Sequence, residues 1–160
     1  MGNIRVEGKK LIYQRKDELT IIEPYGMNCL RCRSTKNSKI LDENWTVLPP
    51  ATADDCHIEC DGKFATITNG AMKATIDAGQ IWYGGIITYF KKDTPVLHTR
   101  FEGDYSNRNQ HIEGDHYKIS VIFDANEGEH FYGIGQEQVD LFDRKGSTSQ
   151  IIHYNTKSTV

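Results

Sequence analysis

The sequence FATITNGAMKATI, residues 64–76, carries the clearest local pattern in the chain. Residues 64–68 are rich in strand-forming types, and residues 72–76 alternate apolar and polar side chains, as expected for a strand with one buried face. Between them stands Asn69-Gly70, the two-residue signal of a type I′ turn. The stretch therefore predicts a β-hairpin with one face in a core and the other in solvent.

The segment before this hairpin contains three more strand-like runs. Leu11–Gln14 and Leu19–Glu23 are two short apolar runs joined by the charged residues 15–18. A Pro24-Tyr25-Gly26 turn signal leads into a third run, Met27–Arg33. We therefore predict three strands upstream of the hairpin.

The segment after the hairpin is also rich in strand-forming residues. Ile81–Phe90 is almost wholly apolar and predicts an interior strand, with Gly84-Gly85 as a turn or bulge inside it. Residues 103–110 are polar and predict a loop. The further predicted strands are Val96–Thr99, Tyr117–Phe123 and Ile151–Tyr154.

Helical periodicity is weak throughout the chain, and only Gln136–Asp143 could form a turn or two of helix. Roughly ten short strands with frequent turn signals predict an all-β fold, either an antiparallel β-sandwich or a barrel, with little or no helix. A length of 160 residues suits one domain, residues 1–160.

The composition argues against several classes of function. The net charge is −3, and the lysines and arginines are spread along the chain, so no basic surface for nucleic acid is predicted. No apolar run approaches the ~18 residues of a membrane span, and the first residues lack the apolar core of a signal peptide. We expect a soluble cytoplasmic protein with no nucleic-acid or membrane partner.

Four cysteines have spacings that resemble a zinc site, C-x2-C followed by C-x3-C. The sequence CLRCR has no glycine or proline to make the turn that aims two thiolates at one metal. In a strand, Cys29 and Cys32 would also point to opposite faces. We predict no metal site, no cofactor, and reduced, partly buried thiols at Cys29, Cys32, Cys56 and Cys60.

The stretch HFYGIGQEQVDLFDRKG, residues 130–146, is the most unusual part of the sequence. Its Gly133-Ile134-Gly135 lacks the third glycine and the βαβ surroundings of a dinucleotide site, so we expect these glycines to serve backbone geometry. Polar and aromatic residues of the kind that bind sugars occur in this stretch and after it. They are Tyr132, Gln136, Gln138, Tyr154 and Asn155.

No self-contained catalytic constellation is visible in the sequence. The nearest approach to a metal or acid–base cluster is the set His111, Glu113, Asp115 and His116. In a polar loop these residues fit a solvated surface better. Glycoside chemistry needs two carboxylates about 5–10 Å apart, a distance that sequence does not show. The carboxylates considered for it are Glu102, Asp104, Glu137, Asp140 and Asp143.

Three motifs near the C-terminus resemble a known family. They are FYGIGQ at Phe131–Gln136, a segment ending in Arg-Lys-Gly at Leu141–Gly146, and IIHYNTK at Ile151–Lys157. In this order they resemble the end of the N-terminal β-sandwich domain of glycoside hydrolase family 31, which includes α-glucosidases and α-xylosidases. The sequence LTIIEPYGMNCLRCR, residues 19–33, resembles the early strand pair of the same domain.

The resemblance implies a galactose-mutarotase-like supersandwich, cut near its C-terminal end. Family members are retaining α-glycosidases whose two catalytic aspartates lie in a (β/α)8 barrel that follows the sandwich. These 160 residues lack the barrel and its W-x-D-M-N-E-type motif. We therefore expect a non-catalytic N-terminal segment that supports the barrel and helps shape its pocket. The whole protein would act on an α-linked oligosaccharide or glycoside.

The resemblance also implies one contact with substrate. A loop near Tyr154, Asn155 and Thr156 would help line the subsite for the leaving sugar. A strand-ending turn explains Asn155-Thr156 equally well. Lys157 stands where the family has an acidic residue, so no hydrogen bond is carried over to that position. Because a cut sandwich exposes strand edges, we also expect the segment to self-associate.

Two other functions stay open from the residues alone. One is a free-standing carbohydrate-binding β-sandwich that uses Tyr132, Gln136 and Tyr154. The other is an aldose-epimerase-like enzyme, which needs paired histidines and a glutamate in one cleft. For that chemistry the candidates are His111, His116 and Glu137, and no local spacing supports them.

Overall fold

The computed structural model of the chain describes residues 2–15, 18–45, 47–48, 55–79, 85–99, 108–113, 116–133 and 141–149. For residues 108–119 it describes the backbone alone. The chain divides into two compact units, Met1–Asp124 and Ala125–Val160. Every strand of the described residues lies in the first unit.

Four strands form the first antiparallel sheet, in the order β1-β2-β3-β4. They are β1 (Asn3–Glu7), β2 (Lys10–Arg15), β3 (Glu18–Pro24) and β4 (Leu30–Thr35). The two strands predicted upstream at 11–14 and 19–23 are confirmed as β2 and β3. The third begins at Leu30 rather than Met27, because Gly26 and Asn28 have positive φ angles of 80° and 52° in the turn before it.

Five strands form the second antiparallel sheet, in the order β5-β6-β7-β8-β9. They are β5 (Cys56–Cys60), β6 (Phe64–Asn69), β7 (Met72–Asp77), β8 (Ile86–Lys91) and β9 (Thr94–His98). The predicted hairpin is confirmed as β6 and β7, and the predicted return strand as β9. Neither β1 nor β5 was predicted, because these edge strands are largely exposed and lack an alternating apolar pattern.

The turn of the β6–β7 hairpin differs from the predicted one by a single residue. Asn69 pairs with Met72, so the loop is Gly70-Ala71, and only Gly70 has a positive φ, 58°. This pattern is that of a type II′ turn. Asn69 is drawn into the strand because its side-chain amide donates hydrogen bonds of 2.8 and 2.7 Å to two carbonyls of the β3–β4 turn. The type I′ pattern occurs instead at Lys92-Asp93, between β8 and β9.

The strand predicted at 81–90 is confirmed in its second half, because β8 pairs with β7 on one side and β9 on the other. Residues 81–84 lie outside the described residues. Gly85, just before β8, has a φ of 92°. A Cβ atom there would lie 2.5 Å from Cε1 of Tyr13, so the absence of a side chain lets Tyr13 pack against the backbone.

Two further strands, β10 (Arg108–Glu113) and β11 (His116–Val121), form a hairpin. The strand predicted at 117–123 is thus confirmed up to Val121, and Phe123 adds a single bridge to Thr99. The loop predicted at 103–110 is wrong for 108–110, which belong to β10. Polar side chains alone do not prevent pairing in a hairpin, since the main chain supplies the ladder bonds.

Side chains of the two larger sheets form one hydrophobic core, so the sheets pack as a sandwich. The first sheet contributes Ile4, Leu11, Tyr13 and Ile22, and the second contributes Ala65, Ile67, Ala74, Ile76 and Ile87, with Ala78 after β7. Each large buried side chain stabilises the fold by about 1.5–3 kcal/mol. The predicted all-β sandwich is confirmed, and the described residues contain no helix.

The second unit consists of turns and extended segments in its described residues. The helical turn predicted at 136–143 is wrong for residues 141–143, which are not helical, whereas 136–140 lie outside the described residues. The strand predicted at 151–154 also lies outside them. Within the part of the chain that is described, no helix is long and apolar enough to span a membrane.

Candidate functional site

The residues predicted to contact the leaving sugar, Tyr154, Asn155 and Thr156, lie outside the described residues. The same is true of Gln136 and Gln138. Of the polar and aromatic residues singled out in the sequence, the structure therefore describes Tyr132 alone. The candidate site that can be built is the surface around it, which we call the aromatic surface: His130, Phe131, Tyr132, Leu141 and Phe142.

Asp143 joins the two segments that form the aromatic surface. Its Oδ2 atom lies 2.7 Å from Nδ1 of His130. Its Oδ1 atom accepts hydrogen bonds from the backbone N–H groups of Phe131, at 3.1 Å, and Lys145, at 3.0 Å. The hydrogen bond with His130, followed by these two backbone bonds, lowers the pKa of Asp143 to about 2. The carboxylate thus stays ionised and holds both segments over a wide pH range.

The rings of the aromatic surface are in contact and exposed. The centroids of Tyr132 and Phe142 are 4.9 Å apart with the rings tilted by 45°, and His130 stacks on Tyr132 at 6.0 Å. Phe142 is 86% exposed and Tyr132 is 56% exposed. Exposed aromatic rings of this kind can stack on the apolar face of a sugar or pack on another protein surface.

The Arg-Lys-Gly end of the stretch is fixed by local hydrogen bonds. The buried Arg144 donates from Nη2 to Oγ of Ser149 at 2.7 Å, and the hydroxyl of Ser147 donates to the carbonyl of Arg144. Gly133 and Gly146 have φ angles of 97° and 77°. These values agree with the expectation that the glycines of this stretch serve backbone geometry. Gly135 lies outside the described residues.

The carboxylates considered for glycoside chemistry are mostly outside the described residues, which include Asp143 but not Glu102, Asp104, Glu137 or Asp140. Of the histidine-containing set predicted as a polar loop, His111, Glu113 and His116 belong instead to the β10–β11 hairpin, where Glu113 pairs with His116, and Asp115 lies outside the described residues. In the described ranges, no three His, Cys, Asp or Glu side chains lie close enough together to hold a metal ion.

The four cysteines occupy two kinds of environment. Cys32 and Cys56 are half-buried against the core, whereas Cys29 and Cys60 are exposed. The comparison of the directions of Cys29 and Cys32 treats both as strand residues. Cys29 lies instead in the turn before β4. Burial raises the pKa of the Cys56 thiol.

One polar cluster was missed in the sequence. Glu23 on β3 forms ion pairs with Arg31 and Arg33 on β4, with N–O distances of 2.8 and 2.6 Å. The signal was present, because the two arginines are two residues apart and so share one face of the strand. The glutamate could not be assigned to them without the register of β3 and β4.

Comparisons with known proteins agree on one family. A curated protein of Pseudescherichia vulneris, named an uncharacterized family 31 glucosidase, is 25% identical to this chain over a match that covers 87% of this chain and 29% of that protein. The resemblance to glycoside hydrolase family 31 is confirmed. No protein-family model matches the sequence.

A solved structure gives the same answer for the fold. The crystal structure of a family 31 α-xylosidase from a soil metagenome, in complex with xylose, matches 90% of this chain and 24% of its own chain, with a TM-score of 0.77 and 21% identity. The chain thus spans 29% and 24% of the lengths of these two relatives. Its similarity to each of them is confined to that part of their length.

Proposed function

We propose that the chain is the non-catalytic N-terminal β-sandwich of a larger family 31 α-glycosidase, in which it supports the catalytic barrel and helps shape the substrate pocket. The extent of the match supports this proposal. The similarity covers 87% of this chain but 29% of the glucosidase relative, so most of that relative has no counterpart here. The substrate class, an α-linked oligosaccharide or glycoside, belongs to the same proposal.

The role in shaping the pocket is assigned to residues near Tyr154, Asn155 and Thr156. Tyr can stack on a sugar ring, and the Asn amide and Thr hydroxyl can bond sugar hydroxyls. In the full-length protein, Tyr154→Ala should raise KM for a disaccharide more than for an aryl glycoside, whose leaving group is not a sugar. An equal effect on both substrates would contradict a contact with the leaving sugar.

An activity assay tests the division of labour. The 160-residue chain should give no hydrolysis of 4-nitrophenyl α-glucoside or α-xyloside above buffer, whereas the full-length protein should hydrolyse at least one of them. Turnover by the 160-residue chain alone would overturn the non-catalytic role. An inactive but folded full-length protein would overturn the assignment as a glycosidase.

A second candidate function, carbohydrate binding by the sandwich itself, is favoured by the contact between the exposed rings of Tyr132 and Phe142. Calorimetric titration of the chain with malto- and xylo-oligosaccharides tests it. Binding should weaken at least tenfold in Phe142→Ala and stay unchanged in Trp45→Ala, an equally exposed aromatic in the other unit. No heat at millimolar sugar rejects this candidate.

A further inference from the structure

The segment that follows β4 presents its apolar side chains to solvent. It comprises residues 41–48, of which 41–45 and 47–48 are described, and we call it the Trp45 segment. Trp45 and Leu48 are each 86% exposed, Leu41 is 58% exposed and Val47 is 48% exposed. By the usual areas of such side chains this is on the order of 400 Å² of apolar surface, a size typical of functional patches.

The Trp45 segment is held on the outer face of the first sheet. Leu30 and Cys32 pack against the core, so the alternating Arg31 and Arg33 point to the opposite face. Between the two arginines lies the carboxylate of Glu23, which is 6% exposed and also lies 3.7 Å from Nζ of Lys10. The ion pairs with Glu23 thus hold both guanidinium groups in position to contact the Trp45 segment.

The contacts that anchor the Trp45 segment are polar. Arg33 donates from Nη1 to the carbonyl of Leu41 at 3.0 Å, and Arg31 donates from Nη1 to Oδ1 of Asn44. The far end is held by the Tyr25 hydroxyl, which donates to the carbonyl of Leu48 at 2.8 Å. The Arg31 guanidinium lies 4.3 Å from the centroid of the Tyr25 ring. The residues that hold the two ends of the segment are therefore in contact with each other.

This arrangement is the reverse of an ordinary surface loop. The carbonyl groups of Leu41 and Leu48 and the amide oxygen of Asn44 bond to the protein, whereas the large apolar side chains face outward. The indole N–H of Trp45 donates to Oε2 of Glu43 at 2.8 Å, so the ring is restrained while it is exposed. Holding apolar side chains in fixed positions in water costs conformational entropy. The free energy of burial under a second surface offsets that cost.

We propose that the Trp45 segment is a docking surface for an apolar surface of the same family 31 polypeptide outside residues 1–160. This inference rests on the proposed function. It commits to that occupant because the family 31 relatives are several times longer than this chain, which spans 29% and 24% of their lengths. A surface in the same polypeptide is also present at high effective concentration.

Hydroxyl-radical footprinting of the 160-residue chain and the full-length protein tests this assignment without a substitution. Trp45 and Leu48 should be labelled at least tenfold more slowly in the full-length protein. Met27, which is 79% exposed in the β3–β4 turn, is the internal control and should be labelled at similar rates in both. Equal labelling of Trp45 in the two proteins would overturn the proposal.

A photo-crosslinking residue at position 45 of the full-length protein identifies the occupant. The expected product is a crosslink within one polypeptide, to a residue beyond the first 160. Crosslinks between two copies, or to residues 1–160, would overturn the assigned occupant. The α-glycosidase assay of the same sample reports on the proposed function independently, since an active protein with an unprotected Trp45 refutes this inference alone.

Discussion

Tyr13 and Gly85 show how a missing side chain allows a large ring to pack closely against the backbone. Tyr13 is 2% exposed on β2, and its ring occupies the space that a side chain at Gly85 would need. The φ of Gly85, 92°, is also one that residues with a Cβ rarely adopt. Two separate penalties therefore apply to any substitution there, one from the backbone and one from the ring.

A comparison of alanine substitutions at Gly85 and Gly62 separates these two penalties. Gly62 has nearly the same φ, 89°, and nothing within 4 Å of its Cβ position. We expect Gly62→Ala to destabilise the chain by about 1–2 kcal/mol through backbone strain. Gly85→Ala should cost about 1–3 kcal/mol more because it crowds Tyr13. Urea denaturation of both variants measures the difference, and equal losses would show that the ring yields freely.

The lowered pKa of Asp143 predicts how the aromatic surface responds to acid. The pKa of its carboxyl in the folded chain is about 2, below the ordinary value of ~3.9. The stabilisation is therefore fully present above pH ~4 and is lost as the pH falls through about 2.

Amide chemical shifts follow this titration. The N–H signals of Phe131 and Lys145, which donate to Asp143, should change with a midpoint near pH 2. In Asp143→Asn that transition should disappear. A midpoint near pH 4 in the unmodified chain would contradict the hydrogen-bonded arrangement.

At the scale of elements, the buried carboxylate of Glu23 on β3 forms ion pairs with both arginines of β4. Glu23→Gln should destabilise the chain by about 2 kcal/mol, because the partly buried guanidinium groups of Arg31 and Arg33 would keep, among the described carboxylates, only the exposed one of Asp42, at 3.8 and 3.4 Å. The exposed pair Arg5–Glu7 on β1 is the control, and Glu7→Gln should change stability by less than ~0.5 kcal/mol. Thermal or urea unfolding measures both, and similar effects would contradict a special role for Glu23.

The strands that sequence predicts have either an apolar run, as in β3, or one buried and one exposed face, as in β7. The β6–β7 hairpin was predicted because Ala74 and Ile76 alternate with polar residues over the core. The predicted turn is misplaced by one residue, because Asn69 donates hydrogen bonds to carbonyls ~40 residues away in the chain. These carbonyls come close to Asn69 only in the folded sandwich. Local propensity does not contain that contact.

The candidate site was predictable only in outline. The aromatic and glycine residues of 130–146 marked the stretch as unusual, and the family motifs led to the proposal of a larger protein. The bond between His130 and Asp143 joins residues 13 apart and needs the fold to be seen. The inverted polarity of the Trp45 segment was equally hidden, since a run such as Trp45–Leu48 gives no indication of which side faces water.

At the scale of the whole molecule, the chain combines a hydrophobic core with large exposed apolar side chains. The core contains residues from both larger sheets. Outside it, several large apolar residues are more than half exposed. They are Met27, Leu41, Trp45, Leu48, Phe131, Tyr132, Leu141 and Phe142. Of these residues, those of the Trp45 segment are the ones that the proposed docking would cover.

We therefore predict that the 160-residue chain self-associates when it is produced alone. Light scattering should give a mass above that of the monomer, and the mass should rise with concentration. Trp45→Ser combined with Leu48→Ser should reduce the association, whereas Met27→Ser, which changes one exposed residue, should have a smaller effect. A monodisperse monomer at high concentration would contradict the prediction.

The central claim is that this sandwich belongs to a retaining α-glycosidase whose reacting groups lie elsewhere in the polypeptide. A mechanism-based inactivator that traps the glycosyl-enzyme intermediate tests it most directly, because retaining enzymes form a covalent bond to their nucleophile. Peptide mapping of the inactivated full-length protein should place the sugar on an aspartate outside residues 1–160. A sugar attached within residues 1–160, or an active protein that is never labelled, would contradict the account.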